Sequence, residues 1–178
     1  MNFILEQLVP TYKKLSKEYL KIDYISYGHA TEKRNGLHWE FTCQHGPQEC
    51  VGNRVHSCAV KLFEEVPALW VNFLECYAWE FNAGPADTFN VQKASQYCAG
   101  KSLIDFKLLW DCANGELGEM IEHDNALTTG ELQPQLASTP WIVLNGTHTN
   151  AIQNEALTDL PNLICSQFAP TEKPAGCS

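Results

Sequence analysis

The chain has 178 residues, 44% of them hydrophobic and 11% aromatic, with a formal charge of −9 and a pI near 5.0. That size suits one domain with a sizeable core, or one domain carrying a large insertion. The acidic balance argues against nucleic acid as a partner, since neutralising phosphates takes clustered Lys and Arg, and no apolar run approaches the roughly 20 residues of a membrane span.

From Phe3 to Leu20 the apolar residues Ile4, Leu5, Leu8, Tyr12, Leu15 and Tyr19 share one helical face, and Pro10 should kink that helix. Residues 22–27, β-branched and aromatic on both faces and closed by Gly28, are a predicted covered strand. Residues 39–42 are a second, shorter extended candidate after a polar stretch. Between Pro47 and about Leu127 the periodicity is helical, with predicted breaks at Gly84-Pro85 and at Cys98-Ala99-Gly100. Residues 139–147 are a predicted strand running into Asn145-Gly146, a strong hairpin signal. The last predicted helix spans Asn154 to Phe168 around Pro161, and the tail from Ala169 should be irregular, tied down by Cys177. Met120, the tryptophans and the aromatic stripe from Trp70 to Phe81 are expected in the core.

Eight cysteines, at 43, 50, 58, 76, 98, 112, 165 and 177, point to an oxidising compartment. Their even number allows four disulfides, and the sequence alone leaves roughly a hundred pairings open. The start disagrees with that address. Met1-Asn2-Phe3-Ile4-Leu5-Glu6-Gln7 has an early acid and no basic region ahead of a sustained apolar core, so it does not form a secretory signal. The expectation is a chain whose natural beginning is missing.

The densest chemistry lies at residues 43–58, which read Cys43-Gln44-His45-Gly46-x2-Glu49-Cys50-x2-Asn53-x4-Cys58. This string resembles, without departure, the signature of the gamma-interferon-inducible lysosomal thiol reductase family. The likeness extends to the Phe3–Tyr12 helix, Tyr27-Gly28, Cys76, Cys98 and Cys112, Pro140-Trp141-x-Val143-x-Asn145-Gly146, and the terminal pair Cys165 and Cys177.

The resemblance implies a thioredoxin-like α/β fold over residues 1–178 with a helical insertion at about 47–127 and an irregular tail at 169–178, and an enzyme that reduces disulfide-containing protein substrates. It places the family's Cys-x-x-Cys immediately before the Phe3 helix, where a thiolate would be stabilised by free N–H groups and the helix dipole. The first of its cysteines attacks a substrate disulfide and the second resolves the mixed disulfide. No Cys precedes Cys43, so no catalytic residue is expected within this chain, and the first, central strand of the sheet is expected to be missing with the motif. Pro140 corresponds to a cis proline facing the redox helix, with Thr139 offering backbone groups to an extended substrate. All eight cysteines are expected in structural disulfides, Cys165 with Cys177 fastening the tail to the last helix.

Several other readings bear on the same residues. His45, Cys43, Cys50 and Cys58 could make a Cys3His zinc site, but their spacing lacks the tight pairs of structural zinc centres, and no metal or cofactor is expected. His45 should cap or hydrogen-bond within the turn, and His56 reads as an exposed helix residue. Asn145-Gly146-Thr147 is a glycosylation sequon at a hairpin tip, used only on the secretory route; localisation is expected to be secreted or lysosomal. The alternative to a reductase is a non-catalytic, secreted, disulfide-rich binding domain that keeps the scaffold, and a weaker rival is a zinc-stabilised interaction domain.

Overall fold

A computed structural model describes residues 1–177. They form a mixed α/β chain in two compact units, one made of residues 1–23 with 138–177 and the other of residues 24–137.

In the first unit a π-helical turn, Ile4–Leu8, runs into helix α1, Val9–Tyr19. Pro10 is the cause. It has no N–H to place in the ladder, and the register opens one residue upstream, where the Val9 N–H donates to the Ile4 carbonyl. Ile4, Leu8, Val9, Thr11 and Leu15 form the buried face. The last helix of the unit is interrupted in its turn: Asn150–Cys165 has non-helical backbone at Asp159, two residues ahead of Pro161. Gln7 fills that break, its Nε2 donating to the Thr158 carbonyl at 3.1 Å and its Oε1 accepting from the Leu160 N–H at 3.0 Å. This helix begins earlier than the predicted Asn154, because the Thr149 side chain accepts from the Ile152 N–H at 3.1 Å and caps it. The tail ends in a short 3₁₀ turn, Ala175–Cys177, held by the Cys165–Cys177 disulfide. There Gly176 passes so close to α1 that an added Cβ would stand 2.3 Å from the Lys14 carbonyl oxygen.

The second unit opens with an antiparallel hairpin, β1 (Thr31–Asn35) paired with β2 (His38–Thr42), Asn35 opposite His38 across the two-residue turn Gly36-Leu37. Five helices follow: α2 (Pro47–Leu62), α3 (Pro67–Asn82), α4 (Val91–Lys101), α5 (Phe106–Asn114) and α6 (Glu116–Gly130). The Asn150–Cys165 helix is then α7. Helix α2 is central, with Val55, Cys58 and Ala59 fully buried. Two disulfides staple this helical array, Cys58–Cys112 joining α2 to α5 and Cys76–Cys98 joining α3 to α4.

Four sequence expectations are corrected. Residues 22–27 belong to no strand: Ser26 and Tyr27 are buried, but Asp23 and Ile25 are exposed, and among the described residues none pairs with this segment. The break expected at 98–100 lies inside α4; the chain turns instead at Ser102–Asp105, where Leu103 has positive φ and the Asp105 side chain caps α5. The strand expected over 139–147 reduces to one bridge, Leu144 with Thr147, although Asn145 and Gly146 both take the positive φ of a type I′ turn. Trp79 and Met120, expected in the core, are each 62% exposed. The polar strand β1 escaped sequence reading because its residues, mostly exposed, carry no apolar alternation.

Candidate functional site

The residues of the 43–58 motif act first as a clamp on the start of α2. Gly46, at φ +91°, lets the chain turn into the helix directly after Cys43, and Pro47 follows at the first helical position. The Glu49 carboxylate folds back to accept from the His45 N–H at 2.6 Å, with His45 Nδ1 3.2 Å away, so His45 does hydrogen-bond within the turn. Cys43–Cys50 closes the loop. One turn later Asn53 ties it to the preceding chain: its Nδ2 donates to the Tyr27 carbonyl at 3.4 Å and lies 4.0 Å from Cys43 Sγ, while its Oδ1 accepts from Ser26 Oγ at 3.2 Å. The motif's last cysteine, Cys58, is the α5 staple.

Two titratable groups lie buried beside this clamp. His56 is buried and not exposed as its helical position suggested, because α3 covers that face of α2. Its ring meets Tyr77 edge-on at 4.5 Å, Nδ1 is 3.3 Å from the Tyr24 hydroxyl, and Nε2 has no hydrogen-bond partner. Burial pushes its pKa down to about 3, so the imidazole is neutral. On α6, Glu122 is wholly buried. Arg54 reaches it with Nη1 at 3.0 Å while donating through Nε to the Ala113 carbonyl at 2.7 Å. Burial outweighs this pairing and pushes the Glu122 carboxyl up to about 7, with a contribution from Glu32. Its Oε1 is unpartnered, and a carboxyl oxygen of Glu122 lies within 4.8 Å of both sulfurs of Cys43–Cys50. Those sulfurs are joined to each other and so are not thiolate ligands. Neither the Arg54–Glu122 pair nor Glu122's approach to the sulfurs carried any signal in the sequence, since the partners lie 68 or more residues apart.

The proline segment is built separately, in the first unit. The Thr139–Pro140 peptide is cis. Gln153 of α7 holds the segment on both sides of Trp141, its Nε2 donating to the Pro140 carbonyl and its Oε1 accepting from the Ile142 N–H, both at 2.9 Å. His148 completes the support, stacking on the Trp141 indole at 3.7 Å and approaching the Ile142 carbonyl at 2.8 Å through Nδ1. Thr139 is exposed at the edge of this rigid segment and Asn145 is exposed at the turn beyond it. The earlier start of α7 explains why Gln153 was missed: it lies just ahead of the predicted helix, where nothing marked it as inward-facing.

The described cysteines are all in disulfides, Cys43–Cys50, Cys58–Cys112, Cys76–Cys98 and Cys165–Cys177. None is therefore a ready nucleophile. No described helix is long and apolar enough to cross a membrane. An open groove of about 390 Å³ at the α3–α4 corner, lined by Phe81, Phe89 and Tyr97, includes no cysteine.

Comparison with known proteins places these features together. A family profile described as gamma interferon inducible lysosomal thiol reductase (GILT) matches residues 1–102. A gamma-interferon-inducible lysosomal thiol reductase of Carassius auratus is 36% identical over 99% of this chain and 66% of its own length. The protein of the same name from Mus musculus is 30% identical over 99% of the chain and 65% of its own length. GILT-like protein 1 of Drosophila melanogaster is 26% identical over 99% of the chain and 72% of its length. The chain thus spans slightly less than two thirds of the first two of these curated relatives.

Proposed function

We propose, from the premise that this chain belongs to the gamma-interferon-inducible lysosomal thiol reductase family, that it is the substrate-presenting scaffold of an enzyme that reduces protein disulfides in the secretory or lysosomal route. The observation that carries this reading is the Gln153 clamp, which fixes Pro140 and Ile142 while leaving Thr139 exposed. An extended substrate segment could pair with the Thr139 backbone as an added strand, held beside the disulfide to be cut. A thioredoxin-like fold with the helical segment as its insertion belongs to the same reading, as does a single domain. A Cys-x-x-Cys or Cys-x-x-Ser joined directly ahead of Phe3 would place its thiolate at the start of the first helix, where free N–H groups stabilise it. Asn145, exposed at a turn, would carry glycan on that route; secretory expression should add mass that Thr147→Ala removes.

The alternative, a non-catalytic binding domain, draws support from the described cysteines all being bonded. Insulin reduction by this chain and by a version with Cys-x-x-Cys joined ahead of Phe3 separates the two. Background turnover from the first and thiol-dependent turnover from the second support the reductase; in the second, Gln153→Ala should raise KM more than it lowers kcat. No turnover from a folded, extended chain leaves the binding domain. Rapid turnover from the present chain, lost on one Cys→Ser change, would contradict the assignment of its cysteines to structure.

A further inference from the structure

Among the four disulfides, Cys43–Cys50 has a distinct environment. It closes the shortest loop, a sequence separation of 7 against 12, 22 and 54, so opening it releases the least chain entropy. Among the described residues it is also the one with a carboxyl oxygen within 4.8 Å of both sulfurs. That carboxyl belongs to Glu122, whose Oε1 is buried without a partner while Oε2 is taken by Arg54. A buried carboxyl oxygen with no donor facing it is best satisfied by carrying its own proton, and the two sulfurs within 4.8 Å of this carboxyl are soft acceptors. Asn53 Nδ2, 4.0 Å from Cys43 Sγ, adds a weak donor on the side of that sulfur. The sulfurs sit in a small cluster with Tyr27, Ala30 and Phe41, but the loop that carries them exposes Gln44, His45, Pro47 and Gln48.

We propose that Cys43–Cys50 is a redox-active disulfide, opened by small dithiols, with Glu122 as the proton donor to the departing sulfur. The dithiol's thiolate attacks Cys50 Sγ, forming a mixed disulfide as the Cys43–Cys50 bond breaks. Cys43 Sγ leaves with the bonding pair and takes the Glu122 proton. The second dithiol sulfur, its proton lost to water, displaces Cys50 Sγ and closes the oxidised reductant into a cyclic disulfide. Cys50 and Glu122 each recover a proton from water, so two electrons pass from the dithiol to the cysteine pair and the protons balance. The groups that set the Glu122 proton are Arg54 on α2, which opposes it, and Glu32 on β1, which favours it; Tyr27 also lies within reach of its charge. The proposal is independent of the Thr139–Pro140 platform and of any motif ahead of Phe3, and burial of the pair restricts its partners to small thiols.

The test uses the full chain. Dithiothreitol is added at pH 5.5 to 8, samples are quenched by alkylation, and peptide mass spectrometry follows each cysteine pair. Comparing Cys43–Cys50 with Cys165–Cys177 in the same tube cancels the ionisation of the reductant. Their rate ratio should fall about tenfold from pH 5.5 to pH 8 as Glu122 loses its proton, and Glu122→Gln should flatten it. A flat ratio in the unmodified chain overturns the proposal, whether or not the variant folds. So does Cys43–Cys50 opening after the other three pairs, or a pH slope that survives in Glu122→Gln with Cys58–Cys112 kinetics unchanged.

Discussion

His56 and Glu122 should oppose each other in the acid response of this fold, and their sizes can be worked from their pKa shifts. His56 falls from 6.5 in the unfolded chain to about 3 in the folded one. The unfolded state therefore binds the extra proton, and stability is lost as pH falls through 6.5 toward 3. Between pH 7 and 5 that loss is about 2 kcal/mol. Glu122 rises from 4.5 to about 7, so the folded state binds the extra proton. Its contribution is fully present below 4.5 and lost as pH rises through 7, which gives a gain of about 2 kcal/mol over the same acidification. The two should nearly cancel, leaving their combined contribution flat between pH 7 and 5. Removing either one should tilt it: relative to the unmodified chain, His56→Phe should gain about 2 kcal/mol on going to pH 5, and Glu122→Gln should lose about 2 kcal/mol. Urea unfolding at pH 7, 6 and 5 with the disulfides intact measures this. The readout is the change of each variant's stability difference with pH, so a constant packing cost of either substitution drops out. A pH dependence identical in all three proteins would refute the argument, as would an NMR titration of His56 near 6.5.

Three further outcomes follow from particular contacts. Arg54→Leu strands the Glu122 carboxylate and the Ala113 carbonyl in the interior, and should cost about 3–5 kcal/mol at pH 8 and markedly less at pH 5, where Glu122 is protonated; urea midpoints at the two pH values check it. Gly176→Ala places a methyl against the Lys14 carbonyl and should undock the tail. Loss of Cys165–Cys177 by paired Cys→Ala changes should cost about 3 kcal/mol on the chain-entropy model, read by thermal melting.

Much of the local structure was legible because it depends on neighbours in sequence. The periodicity of the helical block, the Pro10 and Pro161 interruptions, the Asn145-Gly146 turn and the His45 turn hydrogen bond all arise within a few residues, where backbone sterics and spacing decide. The 43–58 motif marked its own importance, and the resemblance it carried agrees with the family profile over residues 1–102. What the sequence could not determine rests on groups brought together from far apart. Which cysteines pair, that α3 buries His56, that Arg54 meets Glu122 across 68 residues, and that Gln153 holds the proline segment depend on how helices pack, and packing has no period along the chain. Residues 22–27 show the limit most plainly: their composition suggested a strand covered on both faces, yet Ile25 is 44% exposed, and a strand is a hydrogen-bonded pair whose partner is a property of the tertiary structure alone.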